Sequence, residues 1–230
     1  MNIAIIPARS GSKRIPNKNI KFFFGKPIIN YSIDLAFKAK LFDKVVVSTD
    51  SKKIKNIAEK SGAEVPFIRP KYLSNDSVGA DEVVRHVIRW YFSKGIKLKN
   101  ICCIYPTSPL LKKKYLIQGY KKLKSKKWEF VFSAGKYENP IQRAFTLKDN
   151  FGVKMLLPKY YKYNSQDLSE TYYDAGNFYW AKKNTWINKK NLIFSKKSTI
   201  VEIPSNYVED VNTLSDWKKL SEKFKKSNGS

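Results

Sequence analysis

Asn2-Ile3-Ala4-Ile5-Ile6-Pro7-Ala8-Arg9-Ser10-Gly11-Ser12-Lys13-Arg14-Ile15-Pro16-Asn17-Lys18-Asn19-Ile20 begins as a short Ile-rich run, breaks at Pro7 and turns basic. The run reads as a first strand, and Pro7 opens the loop that follows it. Arg9, Lys13, Arg14 and Lys18 lie in that loop, with Ser10, Gly11 and Ser12 between them. Glycine lets backbone N–H groups approach phosphate oxygens, and long cations neutralise them. The segment is therefore expected to receive a highly charged anion such as a nucleoside triphosphate. Charge alone leaves open a merely solvated basic loop.

Outward from this strand, apolar segments at 2–6, 44–48, 64–68, 100–105 and 129–133 read as strands. Helical patterns at 27–40, 51–61, 79–93 and 113–125 alternate with them. Such alternation predicts a three-layer α/β fold, a mostly parallel Rossmann-like sheet with helices on both faces. Right-handed crossovers gather the loops 7–26, 48–52, 69–78 and 105–112 at one sheet edge, where a ligand is expected. From about 136 to 175 the pattern loosens. Tyr137, Pro140, Phe145, Phe151, Tyr160, Tyr161 and Tyr163 suggest an inserted arm of antiparallel hairpins. Strands near 176–180 and 199–203 and a helix from about Ser215 complete one domain over 1–230, with Lys225–Ser230 expected to fray.

The formal net charge is +26, yet only six of the 45 basic residues are Arg, and the lysines scatter from Lys13 to Lys226. Arg is the usual reader of bases and phosphates, so no specific nucleic-acid partner is expected. The charge still favours polyanionic substrates. No apolar run approaches the roughly 20 residues that span a bilayer, and charges follow the first strand at once. The reading is cytoplasmic, with no membrane partner. Cys102 and Cys103, adjacent on a strand, are expected to pack on opposite faces without a disulfide. A single histidine, His86, excludes multi-histidine zinc motifs and is placed on a helix surface.

Neither GxxxxGK[ST] nor a GxGxxG after the first strand is present, and no GxSxG elbow occurs. What remains is the basic loop, Asp50, Arg69 with Asp76, the Pro106-Thr107-Ser108-Pro109 turn, and Asp210. Mg²⁺ prefers oxygen ligands and binds triphosphate together with one or two carboxylates. That inventory suits nucleotidyl transfer. Asp50 is also readable as an N-cap for the helix after Ser51, Asp210 as a cap for the last helix, and Arg69–Asp76 as a surface ion pair.

The opening stretch resembles the IIPARGGSKxIPxKNI signature of the acidic-sugar cytidylyltransferases of the CMP-sialate type. Val47-Ser48-Thr49-Asp50 is similar to that family's VSTD, and Arg69-Pro70-Lys71-Tyr72-Leu73-Ser74-Asn75-Asp76 to its RPxxLSxD. Pro106-Thr107-Ser108-Pro109-Leu110 resembles PTSPL, and Asp210-Val211-Asn212-Thr213 with Asp216-Trp217 resembles DIDTxxDW. The likeness spans about residues 1–220. Tyr105, Pro140-Ile141-Gln142-Arg143-Ala144, Ser165-Gln166-Asp167-Leu168 and Asp174-Ala175-Gly176-Asn177-Phe178-Tyr179-Trp180 are closest to the branch acting on pseudaminic acid.

The resemblance implies the nucleotide-diphospho-sugar transferase type of fold and a homodimer joined through the 136–175 arm. It implies transfer of CMP from CTP to the anomeric hydroxyl of a nine-carbon 2-keto sugar acid, with pyrophosphate released and Mg²⁺ required. Nucleotide contacts fall on Ala8, Arg9, Ser10, Gly11, Ser12, Lys13, Arg14, Lys18, Asn19, Arg69 and Asp76. Within these, Arg9 and Lys18 grip phosphates, Lys13 and Arg14 stabilise the leaving group, and Asn19 reads cytosine or ribose. Sugar contacts fall on Tyr105, Thr107, Gln142, Arg143, Gln166, Asp174 and Asn177, where Arg143 suits a carboxylate. Arg9, Lys18 and Asp210 form the catalytic set, and the metal falls to Asp210 and Asn212. Asn212 departs from the family's second carboxylate, which leaves metal affinity and number open, and an inactive homologue conceivable. Sialic, legionaminic or Kdo-type sugars are the nearest alternatives as acceptor. A basic noncatalytic nucleic-acid-binding protein is the alternative of another class.

Overall fold

A computed structural model describes residues 1–148 and 152–228. Phe151 of the arm and the final Gly229-Ser230 lie outside the described residues. The first strand, β1 (Asn2–Pro7), has Ile3 to Ile6 fully buried. A small hairpin, β2 (Phe22–Phe23) and β3 (Lys26–Pro27), closes the basic loop before α1 (Ile28–Ala39). Then come β4 (Lys44–Ser48), α2 (Lys52–Lys60), α3 (Ala80–Ser93), β5 (Asn100–Ile104), α4 (Lys113–Lys124) and β6 (Phe130–Lys136). The arm carries β7 (Phe145–Lys148) paired antiparallel with β8 (Gly152–Met155). The chain ends with β9 (Tyr172–Lys182), α5 (Lys183–Ile187), β10 (Ser198–Glu202) and α6 (Leu214–Asn228).

Six strands form one sheet in the order β10-β6-β9-β5-β1-β4. β1 is parallel to β4 and β5, and β10 is parallel to β6, whereas β9 runs antiparallel to both β5 and β6. Side-chain alternation divides the core into two layers. Ala4, Ile6 and Cys102 pack under α1, α2 and α4, while Ile3, Ile5 and Cys103 pack under α3 and α5. The two free thiols thus sit on opposite faces, as their adjacency in a strand requires. Gly119 lets α4 approach the sheet: a Cβ there would lie 2.8 Å from Trp180 and 2.9 Å from Phe178. Trp180, fully buried, stacks on Phe42 at 5.1 Å and donates to the Leu116 carbonyl.

Three expectations are corrected. Residues 64–68 form no strand; Glu64 and Ile68 make single bridges to Val46 and Thr49. Pro66 between them has no N–H to continue a ladder. β6 and β9 run further than the apolar runs suggested, to Lys136 and back to Tyr172, so the arm's roots belong to the main sheet. The last helix continues through Lys225 to Asn228 instead of fraying, with Leu220 fully packed and Phe224 against Phe23. Between β6 and β9, β7 and β8 form a two-stranded sheet of their own. Among the described residues no helix is long and apolar enough to cross a membrane.

Candidate active site

The basic loop leaves β1 at Ala8, whose N–H bonds the Ser48 carbonyl of β4 and whose side chain is buried behind the loop. Asp50, one turn past β4, accepts from the Ser10 N–H at 2.8 Å and from Ser10 Oγ at 2.7 Å. Ser12 N–H bonds back to the Ser10 carbonyl, so the amides of both Ser10 and Ser12 are committed within the protein. Further along, Ile15 is buried in an apolar cluster with Phe23, Leu110, Val211 and Leu220. This single apolar residue anchors a loop that is otherwise polar. Asn17 then takes the left-handed conformation (φ 54°), which Asn tolerates, and starts the 3-10 turn Lys18–Ile20.

That turn aims Lys18 at the C-terminal segment, where Nζ donates to the Val211 carbonyl at 2.7 Å. Buried Val211 leaves its neighbours Asp210 and Asn212 to line the cavity. Arg14 donates to Asn212 Oδ1 at 2.9 Å, and Asn212 Nδ2 donates to Asp210 Oδ2 at 2.5 Å. Burial pulls the Lys18 ammonium below its ordinary value, with Asp210 opposing that shift and Arg14 and Arg9 adding to it. Asp216 holds the segment from the other side: its carboxylate accepts from the N–H groups of Asn212 and Thr213 and from the Thr213 hydroxyl. Thr213 and Asp216 thus form the cap of α6, and Asp210 is not that cap.

Around these groups opens a cavity of about 350 Å³ lined by Arg9, Ser12, Lys18, Asn19, Arg69, Tyr105, Thr107, Asp210 and Asn212, with Leu73, Val78 and Val83 as an apolar wall. Beside it a second cavity of about 460 Å³ is framed by Arg9, Lys13, Arg14, Lys18 and Asp76. Asp76 pairs with Arg9 at 2.5 Å and Lys13 at 2.9 Å, so it meets the loop's cations and not Arg69. Hydrogen bonds from Lys13 and Arg9 hold its carboxyl below the usual range. Arg69 is no surface residue: only 3 % exposed, it bonds Ser74 Oγ at 3.2 Å, while its N–H reaches the Thr49 carbonyl. Burial opposes its charge, and Asp50 supports it.

A third cavity, about 200 Å³, lies on the other side of Tyr105 and is lined by Asp81, Asp174, Tyr179, Ile193 and Phe194. Tyr105 and Ala80 line both this space and the first cavity. Asp174 therefore stands in the third cavity, and Thr107 in the first. Asn177 is buried, with Nδ2 bonded to Ser108 Oγ and Oδ1 unpartnered. Gln142, Arg143 and Gln166 lie on the arm, where Gln142 bonds the Ser169 carbonyl and Arg143 the Ser165 hydroxyl. They line none of these cavities.

Asn19 donates to the Arg9 carbonyl, bracing the loop from inside. Ser10 and Gly11 are exposed, and a Cβ on Gly11 would meet nothing within 4 Å. Ser51 accepts from the Ile54 N–H, so Ser51 caps α2 and leaves Asp50 to Ser10. Sequence reasoning missed that clasp because helix capping and loop clasping both ask for an Asp after a strand. Tyr179, quoted in the sequence only as part of the Asp174–Trp180 motif, lines the third cavity and donates to Asp174. His86 packs edge-on to Phe67 at 4.7 Å on α3.

As for metals, no group of three His, Cys, Asp or Glu gathers among the described residues. Asp210 is an exposed carboxylate beside the cation array, with one oxygen held by Asn212. One hard carboxylate beside an array of cations is a donor set Mg²⁺ can use where phosphate and water supply its remaining ligands.

A family model described as Cytidylyltransferase matches residues 3–222. A pseudaminic acid cytidylyltransferase of Campylobacter jejuni subsp. jejuni serotype O:2 is 44 % identical over 215 residues, 94 % of this chain and 92 % of that protein. An N-acylneuraminate cytidylyltransferase of Escherichia coli O18:K1:H7 is 33 % identical over 182 residues, 79 % of this chain but 42 % of its own length. Among solved structures, a CMP:2-keto-3-deoxy-manno-octonic acid synthetase complexed with CTP superposes with TM-score 0.73 at 13 % identity, covering 98 % of this chain and 99 % of that one. At that identity the likeness speaks for the fold.

Proposed function

The chain belongs to the cytidylyltransferase family, and on that footing we propose that it transfers CMP from CTP to the anomeric hydroxyl of pseudaminic acid, releasing pyrophosphate. The observation that carries this reading is convergence. Arg9, Lys13, Arg14 and Lys18 line one polar space, Arg9 and Lys18 also line the neighbouring cavity that reaches Thr107 and Tyr105, and Tyr105 lines a third, smaller space as well. A triphosphate in the first two and an acidic sugar in the third would meet at Tyr105.

Phosphoryl chemistry of this kind depends on positioning and charge neutralisation. Lys18, bonded to the Val211 carbonyl and lining both polar cavities, would meet the α-phosphate as charge develops. Arg9 and Lys13 are both paired with Asp76 and would be released to the β- and γ-phosphates when the triphosphate replaces that carboxylate. Arg14, parked on Asn212, stabilises the departing pyrophosphate. Arg69 offers a buried guanidinium to the nucleoside end, against the apolar wall of Leu73, Val78 and Val83. Asp210, supported by Asn212, would hold Mg²⁺, which neutralises phosphate charge when bound.

The arm exposes Phe145, Leu147, Val153, Leu156 and Tyr161, an apolar surface suited to a second copy. Homodimerisation through it is the route by which Gln142, Arg143 and Gln166 would reach a sugar. The decisive experiment is pyrophosphate release with each nucleoside triphosphate against a panel of 2-keto sugar acids. CTP with pseudaminic acid is expected to give the highest kcat/KM. Preference for a sialic, legionaminic or Kdo-type sugar would replace the acceptor, and no CTP-dependent release would overturn the reading.

A further inference from the structure

Asn212 stands where the signature DIDTxxDW has a second carboxylate, and its side chain meets two groups of opposite charge. Arg14 Nη2 donates to Asn212 Oδ1 at 2.9 Å, and Asn212 Nδ2 donates to Asp210 Oδ2 at 2.5 Å. An amide serves both because its oxygen accepts from the guanidinium while its nitrogen donates to the carboxylate. The two partners also fix which end is oxygen, since the flipped amide would set N–H against guanidinium and oxygen against carboxylate. An aspartate at this position would still accept from Arg14, but it would face Asp210 with like charge.

The amide is held where it stands. The Asn212 N–H bonds Asp216 Oδ2 at 3.0 Å in the cap of α6, and the preceding Val211 is buried with its carbonyl bonded to Lys18. Arg14 lines the second cavity, Asp210 the first, and Asn212 both, so the amide joins the cation of one space to the carboxylate of the other. Arg14 is exposed on a long flexible stem, and this bond gives its guanidinium a fixed place. The same bond occupies the atom of Asn212 that could ligate a metal. Mg²⁺ stands about 2.1 Å from its ligands, so on Asn212 Oδ1 it would lie about 4 Å from Arg14 Nη2, two positive centres on one neutral oxygen. Asp210 keeps Oδ1 for a cation, because Asn212 engages Oδ2.

We propose that Asn212 is a positioning residue and not a metal ligand: its amide ties Arg14 to Asp210, and the divalent cation is held on the protein by Asp210 alone. The proposal deepens the transfer proposed above and rests on it for the roles of Arg14 and the cation. The cation and the guanidinium that meets the departing pyrophosphate are then set at a fixed spacing by one uncharged side chain.

Two readouts test it. In crystals soaked with Mn²⁺, with and without CTP, the anomalous peak is expected within about 2.5 Å of an Asp210 oxygen and more than about 3.5 Å from Asn212 Oδ1. A peak within about 2.5 Å of Asn212 Oδ1, or none at Asp210, overturns the proposal. Pyrophosphate, used as a product inhibitor, reads the Arg14 side. Arg14→Ala and Asn212→Ala, both folded by circular dichroism, should each raise its Ki by about threefold or more. The double variant should lie within about twofold of Arg14→Ala, because the second change removes a tether that no longer holds anything. Independent, multiplying effects, or an unchanged Ki in Asn212→Ala, would show that Asn212 does not act through Arg14. Wild type silent with CTP and every sugar acid would remove the transfer reading, while the metal position would still decide the place of Asn212.

Discussion

Asp50→Ala removes both oxygens that hold Ser10, and with them the fixed start of the basic loop. A hydrogen bond to a charged group contributes about 1.5–3 kcal/mol. Asp50 is half-buried and water can replace part of what is lost, so the two bonds together come to about 2 kcal/mol. Wild type holds the loop in place before CTP arrives; the variant must order it on binding. If the whole amount appears in transition-state binding, kcat/KM for CTP falls roughly 30-fold. Arg69, buried and supported by the Asp50 charge, would lose that support as well. The thermal midpoint is therefore expected to drop by roughly 4–8 °C for a chain of this size. Pyrophosphate release at 25 °C, well below the transition, separates the two effects. Ser10→Ala, which loses one of the two bonds, should fall between variant and wild type. A kcat/KM for Asp50→Ala within about twofold of wild type would show that the loop is placed without this clasp.

Lys18→Ala removes the ammonium that bridges the loop and the Val211 carbonyl, and kcat should fall by about 100-fold or more with the fold intact by circular dichroism; near-normal turnover refutes its role. Gly119→Ala drives a methyl into Trp180 and Phe178, both buried, and should cost about 1–3 kcal/mol in denaturant unfolding. Unchanged stability there would mean α4 can move off the sheet. Asp216→Ala should cost about 1 kcal/mol through the lost cap of α6. Because the Thr213 hydroxyl and then the Asn212 N–H hold the Asp216 carboxyl below 3.8, its contribution is present above that value and lost as pH falls through the lowered one. The midpoint difference between wild type and Asp216→Ala should accordingly shrink in strong acid; a difference constant with pH would contradict the cap.

The three-layer α/β plan was legible from the chain because strand and helix periods are local properties of short windows. Ile3–Ile6 and the apolar pattern of 79–93 needed no partner to be recognised. The opening loop was legible for the same reason, since its cations and small residues stand within a dozen positions of one another. The motif at 210–213 could be assigned to the same site only by resemblance. What joins it to the loop is packing of Ile15 on Val211 and hydrogen bonds from Lys18 and Arg14, across nearly 200 residues. The apolar run 64–68 read as a strand by composition, and Pro66 made it fail as one by hydrogen bonding.

The amino-acid order by itself determined the alternation of strands and helices and the run of cations that follows the first strand. Tertiary structure alone decided that Asp50 clasps Ser10 instead of capping α2, that Asp76 sits on Arg9 and Lys13, and that Asp174 accepts from Tyr179. Each of these is a choice among partners of equal local chemistry. A carboxylate will accept from any donor within about 3 Å, and only the assembled sheet, with β9 inserted between β5 and β6, says which donor that is.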